Sequence, residues 1–143
     1  MPDNPSKDDC LMAALAHASV VIFGPGILVG VLIWLTQKEK AVFAASQGLQ
    51  AAVFQLIGML VVMVLWVLWG IFYALTFIPL IQNPEQFEAA PPPIFWIGLA
   101  SMVIPLFAML VWVLYGLWGA YRTFRGQDFR YMLIGNLLTD RSE

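Results

Sequence analysis

Long apolar runs separated by short polar segments dominate the pattern along the chain. No Asp, Glu, Lys or Arg occurs in Cys10–Gln37, Ala41–Pro84 or Ala89–Tyr121, which are 28, 44 and 33 residues long. A helix needs about 20 predominantly apolar residues to cross the hydrocarbon core of a bilayer. The pattern therefore predicts an all-α polytopic integral membrane protein, with one membrane domain over residues 10–121.

The first membrane segment, residues 10–35, is interrupted by Gly24-Pro25-Gly26. Its two halves, Leu11–Phe23 and Ile27–Leu35, contain 13 and 9 residues, so each is too short to cross alone. Joined, they are long enough for one span, in which a proline is tolerated. The flanking glycines also suit a turn that needs a positive φ. A broken crossing helix and a re-entrant hairpin both remain open.

The second segment, residues 41–81, is too long for a single span. As a helix it would measure about 60 Å, twice the roughly 30 Å of the hydrocarbon core. Its polar side chains, Ser46, Gln47, Gln50 and Gln55, all lie in the first fifteen positions. We therefore predict an interfacial helix up to about Ala52, followed by a full span.

The positions of prolines and charged residues predict the boundaries of the remaining segments. Residues 1–9 are predicted to be a polar tail, and residues 82–93 a proline-rich loop. Residues 94–121 form the second full span, which Pro105 is expected to kink because it frees a backbone carbonyl. Residues 122–143 mix arginines with aromatic and aliphatic residues, which predicts an amphipathic basic tail on the membrane surface.

Composition and charge narrow the function and the orientation. The chain is 61% hydrophobic and 11% charged, against about 45–50% and about 25% in soluble proteins. A net charge of −2 argues against a nucleic-acid partner. Six of the seven basic residues lie in the Lys38–Lys40 turn and the carboxy-terminal tail. This distribution predicts a cytoplasmic (or equivalent inner) membrane protein whose carboxy-terminal tail is cytoplasmic.

His17 is the sole histidine and a candidate binding residue. A neutral imidazole in an apolar segment can ligate haem or a chlorophyll-type pigment. The commoner alternative is a polar side chain that hydrogen-bonds a neighbouring helix, with Ser19 assisting.

Trp112, Tyr115 and Trp118 recur every three residues in the last span, and we assign them to one helical face. That face suits a carotenoid, a quinone or a pigment ring. The more common interpretation is a lipid-facing aromatic belt.

The chain lacks the residue combinations on which most catalytic mechanisms depend. No charged side chain is expected at membrane depth, which argues against an ion site or a proton pathway. We find no paired carboxylates, no Cys/His metal cluster and no phosphate-binding loop. The sequence therefore predicts a protein that is not an enzyme and has no soluble substrate.

Several short motifs resemble those of the Tic-twenty-like membrane proteins, bacterial proteins of unknown function related to a chloroplast inner-envelope translocon subunit. They are Ala-Leu-Ala-His17-Ala-Ser, Gly24-Pro25, Ile33-Trp34-Leu35 before a lysine turn, Phe43, Phe54-Gln55, Gly119-Ala120-Tyr121 and Gly126-Gln127-Asp128-Phe129-Arg130-Tyr131. The chain departs from that family at residues 44–50, which lack its charged residues and histidine. The resemblance implies four membrane segments with both ends on the cytoplasmic side.

Three functional hypotheses follow. The first is a non-catalytic accessory or assembly subunit of a larger respiratory, photosynthetic or translocating membrane complex. The second, implied by the resemblance, is an oligomeric translocon-like transport component. The third is a pigment, haem or quinone binder that uses His17. The expected partners are the lipid bilayer and other membrane subunits or further copies of the chain, and a bound lipid, carotenoid or chlorophyll-type pigment is the candidate cofactor.

Overall fold

The computed structural model describes residues 5–85, 90–132 and 134, with the side chain of Leu80 excepted. Within these ranges the regular secondary structure is entirely helical. Two stretches, Val42–Leu75 and Pro93–Phe124, are long and apolar enough to cross a membrane. The predicted all-α class is therefore confirmed for the described residues, and two stretches have the length and apolar composition that were predicted for membrane-spanning helices.

The first membrane segment is broken into two short helices. Helix α1 spans Lys7–Ala18 and helix α2 spans Gly26–Gln37, with a 3₁₀ turn at Ser19–Val21 between them. Each helix has 12 residues, or about 18 Å, which is shorter than the hydrocarbon core. Gly24 has a φ of 80°, a left-handed conformation that favours glycine. The two helices pack against each other across this turn.

Helix α1 begins inside the predicted polar tail of residues 1–9, of which residues 1–4 lie outside the described ranges. Ser6 caps the helix: its side chain accepts from the Asp9 backbone N–H at 3.1 Å, and Asp9 accepts from the Ser6 N–H at 3.0 Å. This reciprocal capping box satisfies two donors that would otherwise lack partners. The charged residues that indicated a tail are therefore those that start the helix.

Helix α3 runs without interruption through Val42–Leu75. The sequence placed its first part at the membrane interface because glutamines need polar surroundings. In the structure Gln47, Gln50 and Gln55 are buried among protein side chains instead. Their burial removes the reason for a separate interfacial helix, and the placement of this part relative to the bilayer stays a prediction.

The second candidate span consists of two helices. After the short helix α4, Ile78–Gln82, the chain continues into α5, Pro93–Ala100, and α6, Val103–Phe124. Within the predicted loop at 82–93, residues 82, 84, 85 and 93 are helical and residues 90–92 have no regular structure, while residues 86–89 lie outside the described ranges. A kink was predicted at Pro105, and the helix is interrupted just before it, between Ala100 and Val103. The Ser101 carbonyl, which was predicted to lose its donor, accepts from the Ile104 N–H at 3.0 Å.

The chain divides into two compact units. The first, Met1–Met59 with Trp112–Glu143, is called the His17 unit, and the second, Leu60–Val111, the aromatic unit. In the aromatic unit Trp69 stacks on Tyr73 within α3 at a centroid distance of 5.3 Å, and Tyr73 contacts Phe95 of α5 at 5.7 Å. The Trp69 indole N–H donates to the Gly98 carbonyl at 3.1 Å, which ties the two helices together.

The beginning of the carboxy-terminal tail folds back onto the His17 unit. Phe129, Tyr131 and Ile134 are buried there, whereas Met132 is exposed. The tail was predicted to lie on the membrane surface because it mixes arginines with apolar residues. In its described part Phe129, Tyr131 and Ile134 are covered by protein, whereas Phe124 and Met132 are exposed. Residues 133 and 135–143 lie outside the described ranges.

Candidate functional site

His17 lies at the centre of a buried hydrogen-bonded chain of side chains. Its Nδ1 is 2.8 Å from the Tyr131 hydroxyl, and its Nε2 is 3.0 Å from Gln47 Oε1. The Gln47 amide nitrogen donates to Asp128 Oδ1 at 2.8 Å. Because a carboxylate only accepts, the Gln47 oxygen faces the imidazole, so Nε2–H donates and Nδ1 accepts from Tyr131.

This chain of hydrogen bonds runs from the interior to the surface. Asp128 also accepts from the Arg130 Nε at 3.1 Å, and both side chains are about half exposed, at 53% and 54%. His17 and Gln47 are fully buried, and Tyr131 is nearly so. The site is therefore a continuous series of polar groups that joins a buried tyrosine to a solvent-exposed ion pair.

Burial keeps the two buried titratable members, His17 and Tyr131, neutral. Helix α1, which carries His17, is not one of the two candidate spans. Burial lowers the pKa of His17 from 6.5 to about 4, and the hydrogen bond to Gln47 opposes this shift. Burial, followed by repulsion from Tyr115, raises the pKa of the Tyr131 hydroxyl well above its usual range. At neutral pH the pair is an uncharged imidazole and an uncharged phenol.

A glycine on helix α6 makes room for this arrangement. A Cβ atom at Gly119 would lie 2.9 Å from Phe129 Cε1 and 3.2 Å from His17 Nδ1. Phe129 in turn meets the imidazole edge-on, with ring centroids 5.7 Å apart. The glycine thus lets the tail and α1 approach the same point on α6, as small residues do between membrane helices.

A second buried polar cluster lies at the turn that ends α1. The Ser19 hydroxyl is within hydrogen-bond distance of the Ala16 carbonyl at 2.7 Å and the Gly26 carbonyl at 3.0 Å. The Gln55 amide nitrogen donates to the Ala16 carbonyl at 2.9 Å and to the Ser19 hydroxyl at 3.1 Å. Gln55 of α3 and Ser19 therefore supply donors to the Ala16 and Gly26 carbonyls at the break in the first segment.

The three aromatic residues predicted to share a face of the last span are separated by the structure. Trp112 is buried and Tyr115 is half-buried, whereas Trp118 is 50% exposed and stands beside Tyr121. Their exposures differ because a step of three residues turns a helix through about 300°, so two steps displace Trp118 by about 120° from Trp112. Their role in binding a ring-shaped ligand stays a prediction.

Trp112 and Tyr115 belong to the aromatic packing around the tail. Phe54 stacks on Tyr131 with a centroid distance of 3.9 Å and an interplanar angle of 5°. Tyr115 meets Tyr131 edge-on at 5.3 Å, and Trp112 meets Phe23 at 5.7 Å. These rings fill space within the protein, which favours packing over a lipid-facing belt at these two positions.

The sequence singled out His17 but missed most of its partners. Gln47, Asp128 and Tyr131 are 30, 111 and 114 positions away along the chain, so no local pattern connects them to it. The available signal was the concentration of glutamines early in α3, which indicates polar groups that need buried partners.

The occupied ring nitrogens bear on the proposed ligand roles of His17. Axial ligation of haem or a pigment needs a free lone pair on one nitrogen. Here Nδ1 accepts from Tyr131, and Nε2 carries the proton donated to Gln47. The geometry favours the hydrogen-bonding interpretation. Among the described residues, no group of three His, Cys, Asp or Glu side chains is placed to hold a metal ion.

Comparisons with known proteins give a family but no close relative. No curated protein and no solved structure matches the chain. Residues 8–138 match the model of a family described as the magnetosome magnetite crystal formation protein family, MamF/MmsF.

This match overturns the resemblance to the Tic-twenty-like proteins, which was wrong. That resemblance rested on short motifs of glycine, alanine and aromatic residues, a composition common where membrane helices pack closely. The family model instead covers all the described helices except the first residue of α1. The chain belongs to the MamF/MmsF magnetosome magnetite crystal formation family.

Proposed function

We propose that this protein is a non-catalytic component of the magnetosome membrane that acts in magnetite crystal formation as an accessory or assembly subunit. The observation that carries the proposal is the family match over residues 8–138. The two apolar stretches, Val42–Leu75 and Pro93–Phe124, support a position within the bilayer.

The arrangement of the polar side chains supports a role through association rather than chemistry. The polar side-chain atoms of His17, Gln47 and Gln55 form hydrogen bonds with other groups inside the protein. Large apolar side chains along α3 and α6 face outward instead, among them Leu56, Leu60, Val61, Val64, Leu68, Phe107, Leu110 and Leu114. Such surfaces suit lipid and the helices of other membrane subunits.

The orientation we propose places the carboxy-terminal tail in the cytoplasm. Lys38, Lys40 and the tail arginines share one side when α3 and the second span each cross once, and basic residues favour the cytoplasmic side. The segment between the two spans then lies on the side of the membrane that encloses the crystal.

The orientation is tested by labelling single cysteines in intact magnetosomes. Cys10 is the sole cysteine, so Cys10→Ser provides the background for Ala90→Cys or Arg130→Cys. A membrane-impermeant maleimide is expected to label the Arg130→Cys chain and to reach the Ala90→Cys chain only after detergent is added. The reverse pattern would invert the orientation.

The function is tested by deleting the coding sequence in the host and restoring it from a plasmid. Electron microscopy is expected to show crystals of altered size or shape in the deletion strain and normal crystals after restoration. Crystals of unchanged size, shape and number would refute a role in crystal formation. Purification in mild detergent is expected to retain other membrane subunits, and a particle made of this chain alone would exclude the accessory-subunit role.

A further inference from the structure

An open cationic groove lies where the start of α1 meets the end of α6, away from the His17 hydrogen-bonded chain. It has a volume of about 550 Å³ and is lined by Pro5, Lys7, Cys10, Phe124, Arg125 and Gly126. This volume is within the range of small-molecule binding sites. The lining combines two cations with apolar walls, which is the chemistry that recognises an anion carrying an apolar portion.

The floor of the groove depends on how α6 ends. Gly126 has a φ of 73°, and the Gln127 N–H donates to the Arg122 carbonyl at 3.1 Å, which closes the helix in a glycine-dependent cap. A Cβ atom at Gly126 would lie 3.5 Å from Cys10 Sγ and 3.8 Å from Pro5 Cγ. The end of α6 therefore rests directly on the start of α1, and the missing side chain keeps the groove open.

The two cations are available to a ligand. Lys7 is exposed and forms no ion pair with any residue in the described part of the chain. Arg125 donates from one terminal nitrogen to the Tyr121 hydroxyl at 2.8 Å, which holds the guanidinium beside the groove and leaves its other donors open. Of the nearby acids, Asp9 is engaged by the Ser6 N–H in the helix cap, and Asp8 is exposed.

The position of the groove along the chain identifies the anion. Arg125 directly follows the apolar stretch Pro93–Phe124. Trp118 and Tyr121, each 50% exposed, lie on the last turns of that stretch, and exposed Trp and Tyr are typical of the headgroup level of a bilayer. Phe124, at 63% exposure, extends the apolar wall on the same turns. The anion abundant at this depth is the phosphate of a phospholipid.

We propose that this groove binds one anionic phospholipid, with Lys7 and Arg125 on its phosphate and Phe124 against the beginning of its acyl chains. The site explains why two basic side chains from opposite ends of the chain meet at the end of a membrane helix. Their combined charge favours a headgroup with a net negative charge, such as phosphatidylglycerol, over the zwitterionic phosphatidylcholine.

The test is a lipid titration of the full-length purified protein followed by native mass spectrometry. Phosphatidylglycerol is expected to bind saturably as one retained molecule, and phosphatidylcholine much more weakly. Each basic residue near an anionic lipid contributes about fivefold in affinity, so Lys7→Gln combined with Arg125→Gln should weaken binding about 25-fold. The matched control, Lys38→Gln combined with Lys40→Gln, removes the same charge elsewhere and should bind as the native chain does.

Three results would overturn the proposal. Equal losses in the two double variants would indicate general surface attraction, and equal binding of the two lipids would remove the role of the headgroup charge. In the third result, inorganic phosphate binds with the same dependence on Lys7 and Arg125 but does not displace phosphatidylglycerol. The groove would then be a site for free phosphate, and the lipid would bind elsewhere.

A second variant keeps both charges and narrows the groove. Gly126→Asn tolerates the left-handed backbone and adds a side chain beside Cys10 and Pro5. It is expected to weaken saturable phosphatidylglycerol binding while its helical circular dichroism and melting temperature remain close to those of the native chain. Native-like lipid binding in the folded Gly126→Asn protein would contradict a site in this groove.

Discussion

The His17 unit and the aromatic unit are both built from apolar helices, yet they place their polar side chains differently. In the His17 unit, side-chain hydrogen bonds join residues 30, 36, 81 and 114 positions apart. In the aromatic unit, the described side chains of Trp69, Thr76 and Ser101 donate to backbone carbonyls, two of them only three residues away. The His17 unit therefore depends on long-range polar pairing, and the aromatic unit depends on packed rings.

Substitutions of glycine should give the largest difference between the two units in the free energy of unfolding. A Cβ at Gly26 would overlap the Ser19 carbonyl oxygen and lie 2.7 Å from Gln55 Oε1, whereas Gly70 has no such neighbour within 4 Å. Gly26→Val should lower the free energy of unfolding by more than about 3 kcal/mol, because backbone atoms must move. Gly70→Ala should raise it by up to about 1 kcal/mol.

Both free energies can be measured by titrating the protein in mild detergent with sodium dodecyl sulfate and following its helical circular dichroism. Similar effects of Gly26→Val and Gly70→Ala would mean that the close approach at the turn after α1 does not stabilise the His17 unit.

Removing the imidazole should produce the next largest effect. His17→Phe leaves the buried Tyr131 hydroxyl and the Gln47 oxygen without their partner. Each unsatisfied buried group costs about 1–3 kcal/mol, so we expect a loss of about 3 kcal/mol in the free energy of unfolding. Ser46→Ala, which removes an exposed hydrogen bond within one turn of α3, serves as the control and should change it little. A native-like stability of His17→Phe would refute the importance of the polar pairing.

Acid should weaken the His17 unit through the same residue. The pKa of His17 is depressed from 6.5 to about 4 in the folded chain, so the unfolded chain takes up the proton first. The stabilisation by neutral His17 is complete above pH 6.5 and declines as the pH falls towards 4. Between pH 7 and pH 5 the free energy of unfolding should fall by about 2 kcal/mol.

The control for the pH dependence is His17→Gln, which does not titrate. Its free energy of unfolding, measured over the same pH range, should lack this contribution, while the titration of the carboxylates remains. Identical pH profiles for the native chain and His17→Gln would assign the acid sensitivity to other groups.

The smallest effect is expected in the aromatic unit. Trp69→Phe removes the indole N–H that donates to the Gly98 carbonyl, but that carbonyl also accepts from the Ser101 hydroxyl at 2.7 Å. Because no buried group is left unsatisfied, the loss should be about 1 kcal/mol in the free energy of unfolding. A loss as large as that of His17→Phe would mean that the two units do not differ in their dependence on polar pairing.

The parts of the fold that could be predicted from sequence are those set by neighbouring residues. Apolar length predicted the stretches that the structure shows as Val42–Leu75 and Pro93–Phe124. The break at Gly24-Pro25 and the break before Pro105 follow from the backbone restrictions of glycine and proline. These features need no information about distant parts of the chain.

The parts that escaped prediction depend on residues far apart in sequence. The polar side chain of Gln47 suggested an aqueous interface. Its hydrogen-bond partners on α1 and in the tail cannot be inferred from the sequence of α3 alone. Tyr131 suggested a surface tail for the same reason. Trp112 and Trp118 follow a three-residue repeat, but only the surrounding helices and tail determine that the first is buried and the second exposed. The family itself was misassigned, since short small-residue motifs recur across unrelated membrane proteins.

The hydrogen bond between His17 and Tyr131 has a consequence for biosynthesis. Residue 131 is translated 114 positions after His17, so the imidazole emerges from the ribosome without its tyrosine partner. The carboxy-terminal tail therefore completes the hydrogen bonds of a helix that is made much earlier. A nascent chain that ends before Tyr131 leaves one ring nitrogen of His17 without this partner.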